Sequence, residues 1–278
     1  MSDVPVEVWS EGEPVILLHG SGAPAPVSAI WSRQRPLAER YRLIIPTRRG
    51  YGDRPVAMQT DIEGDVADLL SLLGEGAGER EVRATSGSES ADAQRPQAPA
   101  AEGAHLVGFS YGGIVALTAA ARRPDLVRSL TVIEPPALGI ARGHPAADHS
   151  IESLSRFEPP PPGLTPEQFW KSFRAMMGMP VPEQVTLTPI ERKAVEAHMA
   201  EAPPFTLSLP LDELAATSFP KIVISGDWNA GMDAVADIIT ERLSAERFVL
   251  KGWYHNVHRG GEPFNQRLEA FLQAASEM

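Results

Sequence analysis

Cysteine is absent from this 278-residue chain, which rules out disulfides, thiolate metal sites and a cysteine nucleophile. No apolar run is long enough for a transmembrane helix, so none is expected. Basic charge is in the minority: 25 Lys and Arg against 36 Asp and Glu give a net charge of −11. With no basic stripe and no basic amphipathic helix, neither nucleic acid nor a membrane is an expected partner. No Gly-x-Gly-x-x-Gly follows a strand-like run, which argues against a dinucleotide cofactor. His255 and His258 with Asp227 lack metal-ligand spacing, and no His-x-x-x-His occurs. Neither a cofactor nor a metal is therefore expected. Met1 to Glu13 lacks the basic-then-apolar pattern of a secretion signal, so the reading is a cytoplasmic protein. A homodimer is left open.

What is present is a chain that is 43% hydrophobic, ample for a buried core. Its length suits one large α/β domain with an inserted piece, or two small domains. Short, fully apolar runs bounded by turn residues read as buried parallel strands: Val15–Leu18, Leu43–Pro46, the run before Gly108, Val127–Ile133, Lys221–Ser225 and Arg247–Leu250. Helical spacing covers Asp61–Leu73, the stretch after Gly113, and about Pro263–Ala275. Strands alternating with helices predict a mostly parallel sheet covered on both sides.

Two segments break this rhythm. Residues 74–103 are rich in Gly, Glu, Ser, Ala, Gln and Pro, and read as a flexible surface insertion. Residues 137–219 open with proline-dense sequence and then offer helices over Thr165–Met177, Pro189–Ala202 and Leu211–Ala215. Leaving after one strand and returning before the next, this excursion is expected to form a helical cap. The core is then 1–136 with 220–278. In the cap, Trp170, Phe173 and Met177 are candidates to line an apolar substrate pocket.

The most informative stretch is His105–Gly113. An apolar strand stops at Ser110, which is flanked by Gly108 and Gly112, and a helix follows. A serine on a sharp strand-to-helix turn exposes its hydroxyl, and its neighbours must be tiny because the turn crowds the backbone. The helix aims free N–H groups and its positive end at the place where an oxyanion forms.

In this order of motifs the chain resembles the α/β-hydrolase fold family along nearly its whole length. His19-Gly20 resembles the oxyanion-loop motif, Arg49-Gly50-Tyr51-Gly52 the turn after the next strand, and Gly108-Phe109-Ser110-Tyr111-Gly112 the nucleophile elbow. Gly252-Trp253-Tyr254-His255 resembles the loop that carries the catalytic histidine. The resemblance implies an α/β-hydrolase fold and a serine esterase or lactonase working through a Ser-His-acid triad. Ser110 would attack an ester, lactone or thioester carbonyl, with His255 as base and His258 as the spare. The N–H groups of Tyr111 and Ser21, or alternatively Gly22, would bind the oxyanion. His19 would hold the loop's shape, while His105, His144, His149 and His198 are expected to be solvated.

The acid departs from the pattern. The family's usual position falls on Asn229, and an amide cannot supply the charge that steadies an imidazolium. Glu134 and Asp227 are the candidates. Glu134 ends a strand, as in zearalenone-lactonase-like members, and a carboxylate after Leu130-Thr131-Val132-Ile133 calls for a partner. Asp227 follows Gly226 in the usual loop. Serine rather than aspartate at the elbow disfavours dehalogenases and epoxide hydrolases. Carbon–carbon bond hydrolases, perhydrolases and a non-catalytic ligand-binding protein stay open.

Overall fold

A computed structural model of the chain describes residues 4–74, 103–177, 179 and 181–278. The expected insertion, 74–103, lies outside the described residues except for its two end glycines.

Seven strands form one sheet. In chain order they are β1 (Val6–Trp9), β2 (Glu13–Leu18), β3 (Tyr41–Pro46), β4 (Ala104–Phe109), β5 (Val127–Ile133), β6 (Lys221–Ser225) and β7 (Glu246–Val249). Their order across the sheet is β1-β3-β2-β4-β5-β6-β7, and every pair is parallel except β1 with β3. The helices are α1 (Ile62–Gly74), α2 (Tyr111–Arg122), α3 (Pro145–Leu154), α4 (Pro166–Met176), α5 (Pro189–Ala200), α6 (Leu211–Ala215), α7 (Ala230–Leu243) and α8 (Glu262–Ser276). The architecture is the α/β-hydrolase arrangement: a mostly parallel sheet flanked by helices.

Both faces of the sheet are covered, which is why its strands read as unbroken apolar runs. In β2, Ile16 and Leu18 pack with α1, α2 and α7 residues, while Val15 and Leu17 pack with α8 and a segment of 3₁₀ turns over Val27–Glu39. Besides short 3₁₀ turns, some of the described elements were not marked by sequence patterning. They are β1, the Val27–Glu39 segment, α3 and α7. β1 buries only Trp9 fully and carries Glu7, so it has no apolar run. α7 does carry the spacing, at Met232, Val235, Ala236, Ile239 and Leu243.

Between β5 and β6 run α3 to α6. Thr165 and Thr188 close capping boxes with Gln168 and Glu191, so α4 and α5 start where Thr-Pro pairs place them. α5 ends at Glu201, and there the segment ties back to the loop before α1: Thr60 N–H donates to the Ala200 carbonyl at 2.8 Å.

Candidate active site

Register brings the chemistry together. Phe109 pairs with Ile133 and Ile133 with Ile224, so Ser110, Glu134 and the loop after β6 leave the sheet side by side at its carboxyl edge. The Ser110 N–H donates to the Ile133 carbonyl at 2.8 Å, and the Glu134 N–H to the Ile224 carbonyl at 3.0 Å. Ser110 sits at φ +54° between β4 and α2, a backbone region costly for a non-glycine residue. The flanking glycines are obligatory: a Cβ at Gly108 would lie 2.5 Å from the Gly112 carbonyl oxygen, and one at Gly112 would lie 2.5 Å from that of Leu18. The loop after β2 is as close, since a Cβ at Gly20 would lie 2.7 Å from Ser110 Cβ.

Of the two acid candidates, only Glu134 meets His255. Glu134 is 1% exposed, and its Oε2 lies 3.2 Å from His255 Nδ1. It also accepts from Gly226 N–H at 2.7 Å and Trp228 Nε1–H at 2.8 Å. Asp227 instead pairs with Lys251 at the surface. Asn229 caps α7, its Oδ1 accepting from the N–H groups of Gly231 and Met232 at 2.9 and 3.0 Å. The loop position expected for an acid is thus used to start a helix.

His255 and Ser110 line one cavity, together with Ser21, and are not hydrogen-bonded to each other. Apart from Glu134, the ring rests against Phe109, with centroids 5.0 Å apart. His258 is not in the cavity. It is buried between Trp31 and Phe109, and both its nitrogens lack partners. Burial, then Arg259 and His255, push its pKa down to about 3.

The His19–Gly22 loop rests on a buried ionic network. His19 Nδ1–H donates to the Gly20 carbonyl at 2.8 Å while Nε2 accepts from the Arg48 N–H at 3.1 Å. This ring is neutral, its pKa pushed down to about 3 by burial and by the Arg48 charge. Burial would lower Arg48, but Asp65 and Glu201 outweigh it and hold the guanidinium above its ordinary value. Arg48 reaches Asp65 at 2.9 Å and Glu201 at 2.6 Å. Glu201 also accepts from Ser21 Oγ and, at 2.8 Å, from Tyr51 Oη. Tyr51 Oη in turn accepts the Gly22 N–H at 3.1 Å, so the N–H expected as an alternative oxyanion donor is already engaged. Nothing in the sequence pairs Arg48 with Glu201. Their partnership exists only because the β5–β6 excursion folds back over the loop.

The alpha/beta hydrolase family model matches residues 15–273. The chain belongs to this family. It is 30% identical over 125 residues to the 2-hydroxy-6-oxo-2,4-heptadienoate hydrolase of Pseudomonas putida, covering 44% of this chain and 37% of that one. It is 31% identical over 131 residues to the pimeloyl-[acyl-carrier protein] methyl ester esterase of Aeromonas hydrophila, covering 47% and 41%. The match therefore spans well under half the length of either relative. A carboxylesterase structure from the thaumarchaeon Nitrososphaera gargenis superposes with a TM-score of 0.65 over 99% of this chain and 95% of that one, at 17% identity. That likeness is one of fold.

In this alpha/beta hydrolase the cavity encloses about 40 Å³. Phe173 and Met177 are in its wall and Trp170 is not. Trp170 stacks on Phe173 and covers Gly22, where a Cβ would meet its ring at 3.2 Å. Nor is the wall purely apolar, because Glu158 and His198 are in it. His198 and His105 are buried rather than solvated. His198 faces inward from α5, and His105 lies in β4 beside Ser129 Oγ at 2.7 Å. A histidine at an inward strand or helix position is buried whatever its intrinsic preference, and both here have polar neighbours. His144 and His149 are exposed. Among the described residues, no group of three or more His, Cys, Asp or Glu is placed to hold a metal, and no helix is long and apolar enough to cross a membrane.

Proposed function

We propose that this alpha/beta hydrolase cleaves an ester, lactone or thioester bond of a small molecule through a Ser110-His255-Glu134 triad. The observation that carries the reading is the Glu134–His255 contact at 3.2 Å, at the cavity onto which Ser110 opens. Glu134 accepts from Nδ1–H, which fixes the tautomer and leaves Nε2 free to take the Ser110 proton. The Ser110 oxygen adds to the carbonyl carbon, and the charge gathers on the carbonyl oxygen near the Tyr111 and Ser21 N–H groups. Collapse expels the alcohol, thiol or ring oxygen, which takes the proton back from His255. Water then repeats the sequence on the acyl-serine. Tyr111 opens α2, and a helix's first N–H groups have no intrahelical partner, so its donor is unspent. Each such donor contributes on the order of 3 kcal/mol to lowering the barrier.

In this reading the acid ends β5, as in zearalenone-lactonase-like members, and residues 137–219 act as the cap. A fluorophosphonate probe should label the protein at neutral pH, and Ser110→Ala should abolish both labelling and p-nitrophenyl ester hydrolysis. Folded protein that takes no label would instead favour a non-catalytic binding role. The partial likeness to the heptadienoate hydrolase supports carbon–carbon bond hydrolysis as a second reading. Turnover of 2-hydroxy-6-oxo-2,4-heptadienoate in preference to esters would select it.

A further inference from the structure

Two ionisable side chains of the β5–β6 excursion reach the cavity and have no part in the triad. Glu158, just beyond α3, and His198, in α5, are 5% and 7% exposed. Both line the cavity that Ser110 and His255 share. His198 Nε2 comes to 3.4 Å from Glu158 Oε1, but the approach is not aligned as a hydrogen bond. Neither carboxylate oxygen of Glu158 accepts a hydrogen bond, and His198 Nδ1 makes none. The ring is held edge-on by Phe169 and Phe173, at centroid distances of 4.9 and 4.7 Å. Its open nitrogen faces the oxyanion loop, 3.8 Å from where a Cβ on Gly22 would stand.

Unpartnered acceptors buried in a largely apolar wall oppose folding. They are accounted for when a ligand supplies what they lack. With the proton on Nε2 toward Glu158, every open atom of the pair is an acceptor: both carboxylate oxygens and Nδ1. The complement is a donor, and its place beside Gly22 puts it a few bonds from a carbonyl held at Ser110. We propose that Glu158 and His198 form a polar subsite selecting substrates that carry a hydrogen-bond donor, a hydroxyl or an ammonium group, close to the scissile carbonyl. The inference rests on Ser110 being the nucleophile, and it replaces an apolar acyl chain with a hydroxylated or aminated one as the preferred substrate class.

Methyl butanoate, methyl 3-hydroxybutanoate and methyl 3-aminobutanoate test it by proton release. The donor-bearing esters should be favoured in kcat/KM by at least about tenfold, since a site built around a polar group rejects the analogue lacking it. The ratio should fall toward one in Glu158→Gln and in His198→Phe. A preference for the amine over the alcohol assigns the selection to the carboxylate charge, and equal preference assigns it to hydrogen bonding. The same three esters titrated into Ser110→Ala protein read the subsite without turnover, and the donor-bearing pair should bind more tightly there too. Equal affinities, or a wild-type ratio that survives Glu158→Gln, overturn the subsite. Failure of the fluorophosphonate to label overturns the nucleophile while leaving the affinity result standing.

Discussion

Glu134 is a buried carboxylate with a partner on each oxygen. Gly226 and Trp228 hold it from one side while His255 meets it from the other. Glu134→Gln keeps the shape but presents an amide, which can favour the wrong imidazole tautomer and leaves an imidazolium without its counter-charge. The expected result is a kcat lower by on the order of 10³- to 10⁴-fold. Asp227→Asn should stay within about twofold of wild type, because it disturbs only an ion pair at the surface with Lys251. Steady-state ester hydrolysis by the two variants decides between the carboxylates, and a larger loss in Asp227→Asn would reverse the assignment. That both were candidates from the sequence, and that only one touches His255, reflects a distance along the sheet edge. Two strands of matched register bring Glu134 to the ring, whereas Asp227, at φ +52°, pairs outward with Lys251.

At the scale of elements, α7 shows how one short loop serves two neighbours. Gly226 donates to Glu134, and three residues later Asn229 caps the helix. Asn229→Ala should lower stability by about 1 kcal/mol in urea unfolding, while Asn229→Asp, an equally good cap, should leave it nearly unchanged. The strands that position the site were legible because burial on both faces keeps them predominantly apolar, with His105, Ser129 and Thr131 as buried polar exceptions. α4 and α5 were legible from their Thr-Pro starts. β1 was not, because an edge strand four residues long needs only one buried side chain. α7 carries its start signal in Asn229 and its apolar spacing at Met232, Val235, Ala236, Ile239 and Leu243.

Across the whole molecule, buried charge and buried histidine set the pH response. His19 and His258 are kept neutral, each with its pKa pushed down to about 3 by burial and by nearby positive groups. In the unfolded chain an imidazole titrates near about 6.5. Below that pH the unfolded state takes up protons that the folded state refuses. Stability is therefore full above about pH 6.5 and falls as the pH drops toward about 3, by up to about 1.4 kcal/mol per unit for each ring. Urea unfolding at about pH 7 and pH 5 should show the loss. His258→Leu, which removes a ring with no hydrogen bonds, should show a smaller one. An identical pH dependence in the variant would mean that the buried carboxylates dominate instead.

The sequence by itself determined the alternation of β2–β7 with the helices α1, α2 and α8, and the Gly-x-Ser-x-Gly turn. These depend on residues close in the chain: apolar runs, caps, and glycines that a crowded backbone demands. Tertiary structure decided which carboxylate faces His255. It also decided that Arg48, Asp65 and Glu201 form one buried network behind the oxyanion loop, and that Glu158 and His198 enter the cavity wall. Each of these is a meeting of side chains from separate segments. Their distance is set by sheet register and by the return of the β5–β6 excursion over the sheet's edge, and no local pattern encodes either.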